Sequence, residues 1–181
     1  NDLSKLGMSE EGRGIPVKII NPLVADQAEM RRSILPGLLR SVAYNLDHGV
    51  DAVALYEIGR VFFGHENKSQ PDEPSFVCGV LSGHRDDEWC QKFEDYDFFD
   101  AKGVVEQLLS ALRVTKVRFK VADPQTYGWL QPGRAAEVYG NKGELMGWVG
   151  NIHPKALKAF GVDAPVVAFE LSVESLLRLA H

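Results

Sequence analysis

Residues 34 to 46 carry the pattern that leaves this chain the fewest options. Ile34, Leu38 and Val42 recur at four-residue spacing, and Leu35, Leu39, Ala43 and Leu46 form the adjoining row. Two such rows make an apolar stripe wide enough to demand burial against a core or a partner helix. Ser33 stands where an N-cap belongs, and Pro36 falls in the first turn, where its missing N–H forfeits no intrahelical bond. Gly49, after Asp47 and His48, supplies the stop.

The rest of the chain offers a sheet for that helix to lie on. Val17–Ile20 reads as a short strand ended by Asn21-Pro22. Val53–Phe63 is rich in β-branched and aromatic residues, with Gly59 as a bulge site, and Phe76–Leu81 is its antiparallel neighbour. A second helix is expected from Phe98, Ala101, Val105, Leu108 and Leu112. Asp97 and Asp100 stand at its start and Arg113 at its end, as the helix dipole favours. Lys116–Val121 alternates strictly, which predicts a half-buried strand with Val117, Phe119 and Val121 inward. Gln131-Pro132-Gly133 turns the chain into Arg134–Tyr139, and Gly140-Asn141-Lys142-Gly143 closes a hairpin onto Glu144–Gly150. A short helix over His153–Phe160, a strand over Val166–Leu171 and a final helix capped by Ser172 complete the chain. About six or seven strands and about four helices, hairpin-linked, predict an α+β fold with a mainly antiparallel sheet flanked by helices. Residues 1–14, polar and with three glycines, are expected to be loose, and residues 15–181 to form the core domain.

Composition narrows the class of function. With 45% hydrophobic and 25% charged residues among 181, the chain is an ordinary globular one that needs no disulfide or metal to fold. Its net charge of −5 argues against non-specific affinity for nucleic acid. Cys78 sits in the apolar run Phe76–Leu81 and reads as a small hydrophobe, and Cys90 lies in a polar stretch, so a reducing cytoplasm is the default. No run approaches a membrane span, and a chain beginning at Asn1 without methionine reads as a piece of a longer polypeptide.

The residues that carry chemistry elsewhere lack the spacing for it here. The five histidines are scattered, with no H-x-H or H-E-x-x-H. His84, Asp86 and Asp87 could share a loop site for a metal, but a solvated loop accounts for them. Glu94, Asp95, Asp97 and Asp100 could hold Mg²⁺, but the helix dipole already explains two of the four. There is no G-x-S-x-G and no G-x-x-x-x-G-K-[ST], so neither an acyl-transfer nucleophile nor a phosphate loop is signalled. No metal ligand, no catalytic residue and no cofactor of the fragment itself is expected. Arg31 and Arg32 have two readings: an ion-pair clamp at a subunit interface, or a solvated pair.

Seven short runs occur in an order that is itself specific. They are Asn21-Pro22-Leu23; Met30 to Leu39, which contains Pro36 and Gly37, followed by Asn45; Leu55 to Phe62, with Glu57 and Gly59; Asp97 to Glu106, with Asp100 and Gly103; Pro132-Gly133-Arg134-Ala135-Ala136; Gly147 to Pro154, with His153; and Phe169-Glu170-Leu171. Together they resemble the beta chain of bacterial phenylalanine–tRNA ligase across roughly residues 17 to 177. The resemblance implies a class II synthetase-like fold that is a degenerate relative of the catalytic domain. It implies that the alpha chain binds ATP, phenylalanine and the tRNA acceptor end, within a heterotetramer of two alpha and two beta chains. ATP and Mg²⁺ would then be used elsewhere in the holoenzyme, and tRNA(Phe) would be met through it.

Two features fit the non-catalytic reading. Arg134 is the sole candidate for an arginine gripping an α-phosphate, and Ser172–Ala180 offers only Arg178, without the glycine pattern of an adenine-side motif. Where relatives usually have a histidine before Pro-Gly-Arg, this chain has Gln131, so no role is carried to that position. The expected function is a structural and assembly domain. Ile34, Leu35, Leu38, Leu39, Val42 and Leu46 would present an apolar face to the alpha chain or to other beta-chain domains, with Arg31 and Arg32 at the rim. The competing readings are an active class II ligase or amino-acid-activating paralogue, and a tRNA-binding module. The latter is disfavoured by the acidic balance and by the absence of a basic stripe interleaved with aromatics.

Overall fold

The computed structural model describes residues 2–9, 13–22, 28–67, 70–84, 94–141 and 143–180. Leu23, Asp86, Asp87, Glu88, Cys90 and Lys142 therefore lie outside the described residues. Six strands form one sheet: β1 (Val53–Arg60), β2 (Ser75–Ser82), β3 (Arg118–Val121), β4 (Leu130–Tyr139), β5 (Leu145–Ile152) and β6 (Val166–Ser172). Their order is β1-β2-β6-β5-β4-β3, and every pairing is antiparallel. The mainly antiparallel α+β expectation is met.

Hydrophobicity along each strand explains its place. β6, apolar from Val166 to Phe169 and again at Leu171 with Glu170 between, is buried on both faces except at its last residue, and it lies in the middle of the sheet. The alternating strands β1 and β3 take the edges, where one face can meet water.

Helices cover both faces. α1 (Asp2–Leu6), α2 (Leu35–Asp47) and α4 (Pro154–Ala159) lie on one side, α3 (Phe98–Ala111) and α5 (Val173–Leu179) on the other. Two apolar clusters result. The first joins Leu35, Leu39 and Val42 to Val80, Trp148 and Ala168; the second joins Ala101, Val105 and Leu109 to Val149, Phe169 and Leu171. The expected stop of α2 is formed in detail. Gly49 has φ +79, its N–H donates to Leu46 O at 3.0 Å, and Val50 N–H donates to Asn45 O at 3.1 Å, closing a Schellman motif.

Several local expectations are corrected. Residues 2–9 are not loose: Leu3, Leu6 and Met8 are buried in the first cluster beneath polar neighbours that gave the segment a loop-like composition. Val17–Ile20 is no sheet strand. Among the described residues it makes only an isolated bridge between Lys18 and Glu29, and Ile20 is 93% exposed. Gly59 is no bulge but sits in regular register opposite Phe76. Gln131-Pro132-Gly133 does not precede a strand; it is an irregular stretch inside β4, where the register with β5 shifts between Leu130 and Ala135 and Gly133 has φ +75. Val121 is 80% exposed rather than inward, at the last position of the edge strand β3. Ser33 lies one residue before the N-cap, Ile34, although its Oγ still accepts from Leu35 N–H at 3.3 Å.

Candidate functional site

α2 begins beside a charged group that the hydrophobic pattern hides. Glu170 projects from the central strand β6 and is 2% exposed. Its Oε1 accepts from Ser33 Oγ at 3.0 Å and from Ile34 N–H at 2.9 Å, and its Oε2 lies 3.8 Å from an Arg13 guanidinium nitrogen. A carboxylate thus sits at the positive end of α2 and accepts from the backbone N–H of its N-cap from more than a hundred residues away. Arg32, 4% exposed, donates to Gly14 O at 3.0 Å, while Arg13 donates to Arg32 O at 2.8 Å. The island is closed on itself.

Arg31 lies beyond its rim. It donates to Glu57 Oε1 at 2.5 Å and, through Nε, to Arg60 O at 2.8 Å. Its guanidinium crosses strand β1 over Gly59, where a Cβ would land on it. Glycine leaves room for the guanidinium to lie against the strand. Cys78, fully buried beneath this island, has its thiol pKa raised by burial and by the Glu170 and Glu57 carboxylates, so it is held protonated and is no nucleophile.

The expected interface face does not face outward. Ile34, Leu35, Leu38, Leu39 and Val42 are all buried in the chain's own core, and Leu46 packs against it. The stripe is spent on this chain's own sheet, and Arg31 and Arg32 are spent on intramolecular partners. Arg32, buried, is not one of a solvated pair, while the Arg31 side chain keeps 41% of its surface exposed beside Glu57.

The other expected positions are mostly structural. Pro36 is buried in the first turn of α2, while Gly37 and Gly103 sit on helices with open space beside them. Asp97 and Asp100 form a reciprocal capping box on α3, with Asp97 Oδ1 accepting from Phe99 N–H at 2.7 Å and Asp100 Oδ2 accepting from Asp97 N–H at 2.8 Å. His153 caps α4, accepting at Nδ1 from Lys155 N–H at 3.1 Å, and Pro154 is its first residue. Pro22 is exposed, and Pro132 is exposed in the irregular part of β4.

Arg134 differs from all of these. It lines an open cleft of about 500 Å³ between the start of α3 and strands β3 to β5, walled by Phe98, Phe99, Phe119 and Val121, with Asn151 on its floor. Arg134 has no ion-pair or hydrogen-bond partner among the described residues, and Asn151 Oδ1 is buried without a donor. Lys102, also at the cleft, is tied to Glu106 and stacks 4.6 Å from the Phe119 ring centroid. The cleft was not legible in sequence, since its walls come from four separate elements. Among the described residues no group of three or more His, Cys, Asp or Glu side chains could hold a metal.

Comparison with known proteins decides the family. Residues 1–173 match the model of the phenylalanyl tRNA synthetase beta chain CLM domain. The chain belongs to that family. It is 39% identical over 172 residues to the phenylalanine–tRNA ligase beta subunit of Syntrophotalea carbinolica, covering 94% of this chain and 21% of that protein. It is 38% identical over 174 residues to the Geobacter sulfurreducens beta subunit, covering 95% of this chain and 21% of that one. The Bacillus licheniformis beta subunit is 38% identical over 161 residues, or 87% of this chain and 19% of that protein. The CLM domain thus spans about a fifth of the curated relatives it matches. The seven ordered runs were sound evidence of membership.

Proposed function

We propose that this CLM domain is a non-catalytic structural module of a phenylalanine–tRNA ligase beta subunit, supporting the alpha subunit in ATP-dependent charging of tRNA(Phe) with phenylalanine. The observation that carries the reading is the family match over residues 1–173. The interior agrees with it. A nucleotide site needs several preorganised donors aimed at the phosphates. Here Arg13, Arg31 and Arg32 serve the fold, and of the cations lining the cleft Lys102 is tied to Glu106 and Lys120 stacks on Tyr139, so that among the described residues Arg134 is the one without a partner. On this reading the body is class II synthetase-like in descent, ATP and Mg²⁺ belong to the alpha subunit, and the assembly works in the cytoplasm. Among the described residues no helix is long and apolar enough to cross a membrane.

With the α2 stripe turned inward, assembly needs another surface. The outer edge strand β1 leaves Tyr56 and Ile58 75% and 64% exposed on the face away from α2. These are the apolar groups on which a neighbouring subunit or domain can close. Introducing Tyr56→Asp with Ile58→Asp into the full-length beta chain is expected to reduce co-sedimentation with alpha; undiminished assembly removes β1 from the interface. In parallel, calorimetry on this chain alone is expected to show no saturable heat with ATP or with phenylalanine. Adenylate formation by the chain alone would instead make it an active class II ligase.

A further inference from the structure

The β3 end of the sheet gathers positive charge that the fold does not use. Among the described residues Lys116, Arg118 and Arg134 have no carboxylate partner, and the Lys120 ammonium only stacks, 4.5 Å from the Tyr139 ring centroid. This occurs in a chain whose net charge is −5. Among the described residues β3 pairs with β4 alone, so its other side is an open edge of that sheet.

The ladder fixes which groups face that edge. Ala122 N–H donates to Ala135 O at 3.1 Å. By antiparallel alternation Lys120 and Arg118 then direct their backbone groups to β4, and Phe119 and Val121 direct theirs outward. Side chains sort by face. Val117 and Phe119 pack toward the α3 cluster with Val121 in the same row, while Arg118 and Lys120 point to the opposite face. At the α3 face the row ends on the exposed Val121, with Phe99, 72% exposed, and Arg134 beside it.

We propose that the β3 edge docks an extended segment of a partner polypeptide in which acidic residues alternate with aliphatic or aromatic ones, adding a strand to the sheet. Its backbone would satisfy the outward groups of Phe119 and Val121. Its apolar residues would cover Val121 and Phe99 on the α3 face, and its carboxylates would meet Arg118 and Lys120 on the other. Cations on an edge strand by themselves only discourage aggregation. A guarded edge would not also leave two large apolar side chains open beside it, as Val121 and Phe99 are at 80% and 72% exposure. Nucleic acid could neutralise the charges but would leave the outward N–H and C=O groups unmet. The β3 edge of a second copy would oppose like charges.

The test is by amide shifts of the isotope-labelled full chain. The probe is an acetylated, amidated hexapeptide of alternating Glu and Val or Phe; the comparisons are the same peptide with Lys for Glu and a uridine decamer. The acidic peptide is expected to shift Phe119 and Val121 saturably and to bind at least about tenfold more tightly than the Lys version. Its affinity should fall with salt, and fall by about tenfold in a Lys120→Glu chain. Val121→Pro, which removes an outward N–H without touching the β4 ladder, should abolish binding while Val121→Ile keeps it. Equal binding of both peptides, shifts that spare β3, full binding by the Val121→Pro chain, or tighter binding of the decamer at this edge would each overturn the proposal. None of those results bears on membership of the ligase family.

Discussion

Glu170 carries a negative charge on the central strand with almost no access to water, and its partners are a serine hydroxyl, a helix N-terminal N–H and an arginine. Removing one member of such a set strands the others. Glu170→Ala is expected to lower the unfolding free energy by roughly 3–5 kcal/mol and Glu170→Gln by somewhat less, since the amide oxygen can keep the two hydrogen bonds. Urea denaturation measures both, and a change under about 0.5 kcal/mol in either would show the island to be dispensable.

Cys78 makes a pH-dependent contribution at the same scale. Its thiol pKa is raised well above 9.0 by burial first and by Glu170 next. Above that value the unfolded chain loses a proton the native chain keeps, so the stability from this group is complete below about pH 9 and declines as pH rises. Cys78→Ala is expected to flatten the alkaline limb of the stability profile by up to about 1.4 kcal/mol per pH unit, beneath a uniform offset for lost packing. Tyr127, whose phenol is also raised by burial and by Glu137, leaves a residual slope in that variant. At this scale the sequence told little. Cys78 as a buried hydrophobe was readable from its neighbours, but a glutamate inside Phe169-Glu170-Leu171 announces no partner, because Ser33 and Arg13 are brought to it only by folding.

α2 shows what periodicity can and cannot say at the level of an element. Its limits and stripe were readable within a residue or so, because spacing and a glycine stop are local properties. Which surface the stripe meets was not, since any apolar face of suitable width would satisfy it. Leu39→Ala is expected to destabilise the chain by about 2–5 kcal/mol, while Tyr44→Ala on the outer face changes it by less than about 0.5 kcal/mol. Comparable losses at the two sites, read from denaturant midpoints, would mean the stripe is not the packed face. β5 supplies a second case. Gly147 sits where a Cβ would collide with the carbonyl oxygen of Glu170 on β6. Gly147→Ala must therefore push apart two central strands, and a loss of at least about 3 kcal/mol is expected by thermal unfolding.

At the scale of the whole molecule, one sheet separates two apolar clusters, and the N-terminal segment completes one of them. Deleting residues 2–9 removes Leu3, Leu6 and Met8 from beneath α2 and α4, each worth about 1.5–3 kcal/mol of burial as an upper estimate. A clear fall in the calorimetric midpoint is expected; an unchanged midpoint would restore the loose tail that the composition of residues 1–14 suggests. What the sequence by itself determined is whatever depends on neighbours along the chain: the helix stripes, the acidic start of α3 at Asp97 and Asp100, the hairpin after Tyr139, the α+β class and the ordered runs that mark the family. Tertiary structure alone decided that α2 faces inward, that Arg31 and Arg32 are already engaged, that Gly59 makes room for a guanidinium, and that Arg134 is left without a counterion among the described residues. Those outcomes depend on which distant groups meet across the sheet. Pairing across a sheet is set by the simultaneous burial of both faces, a condition no single segment carries.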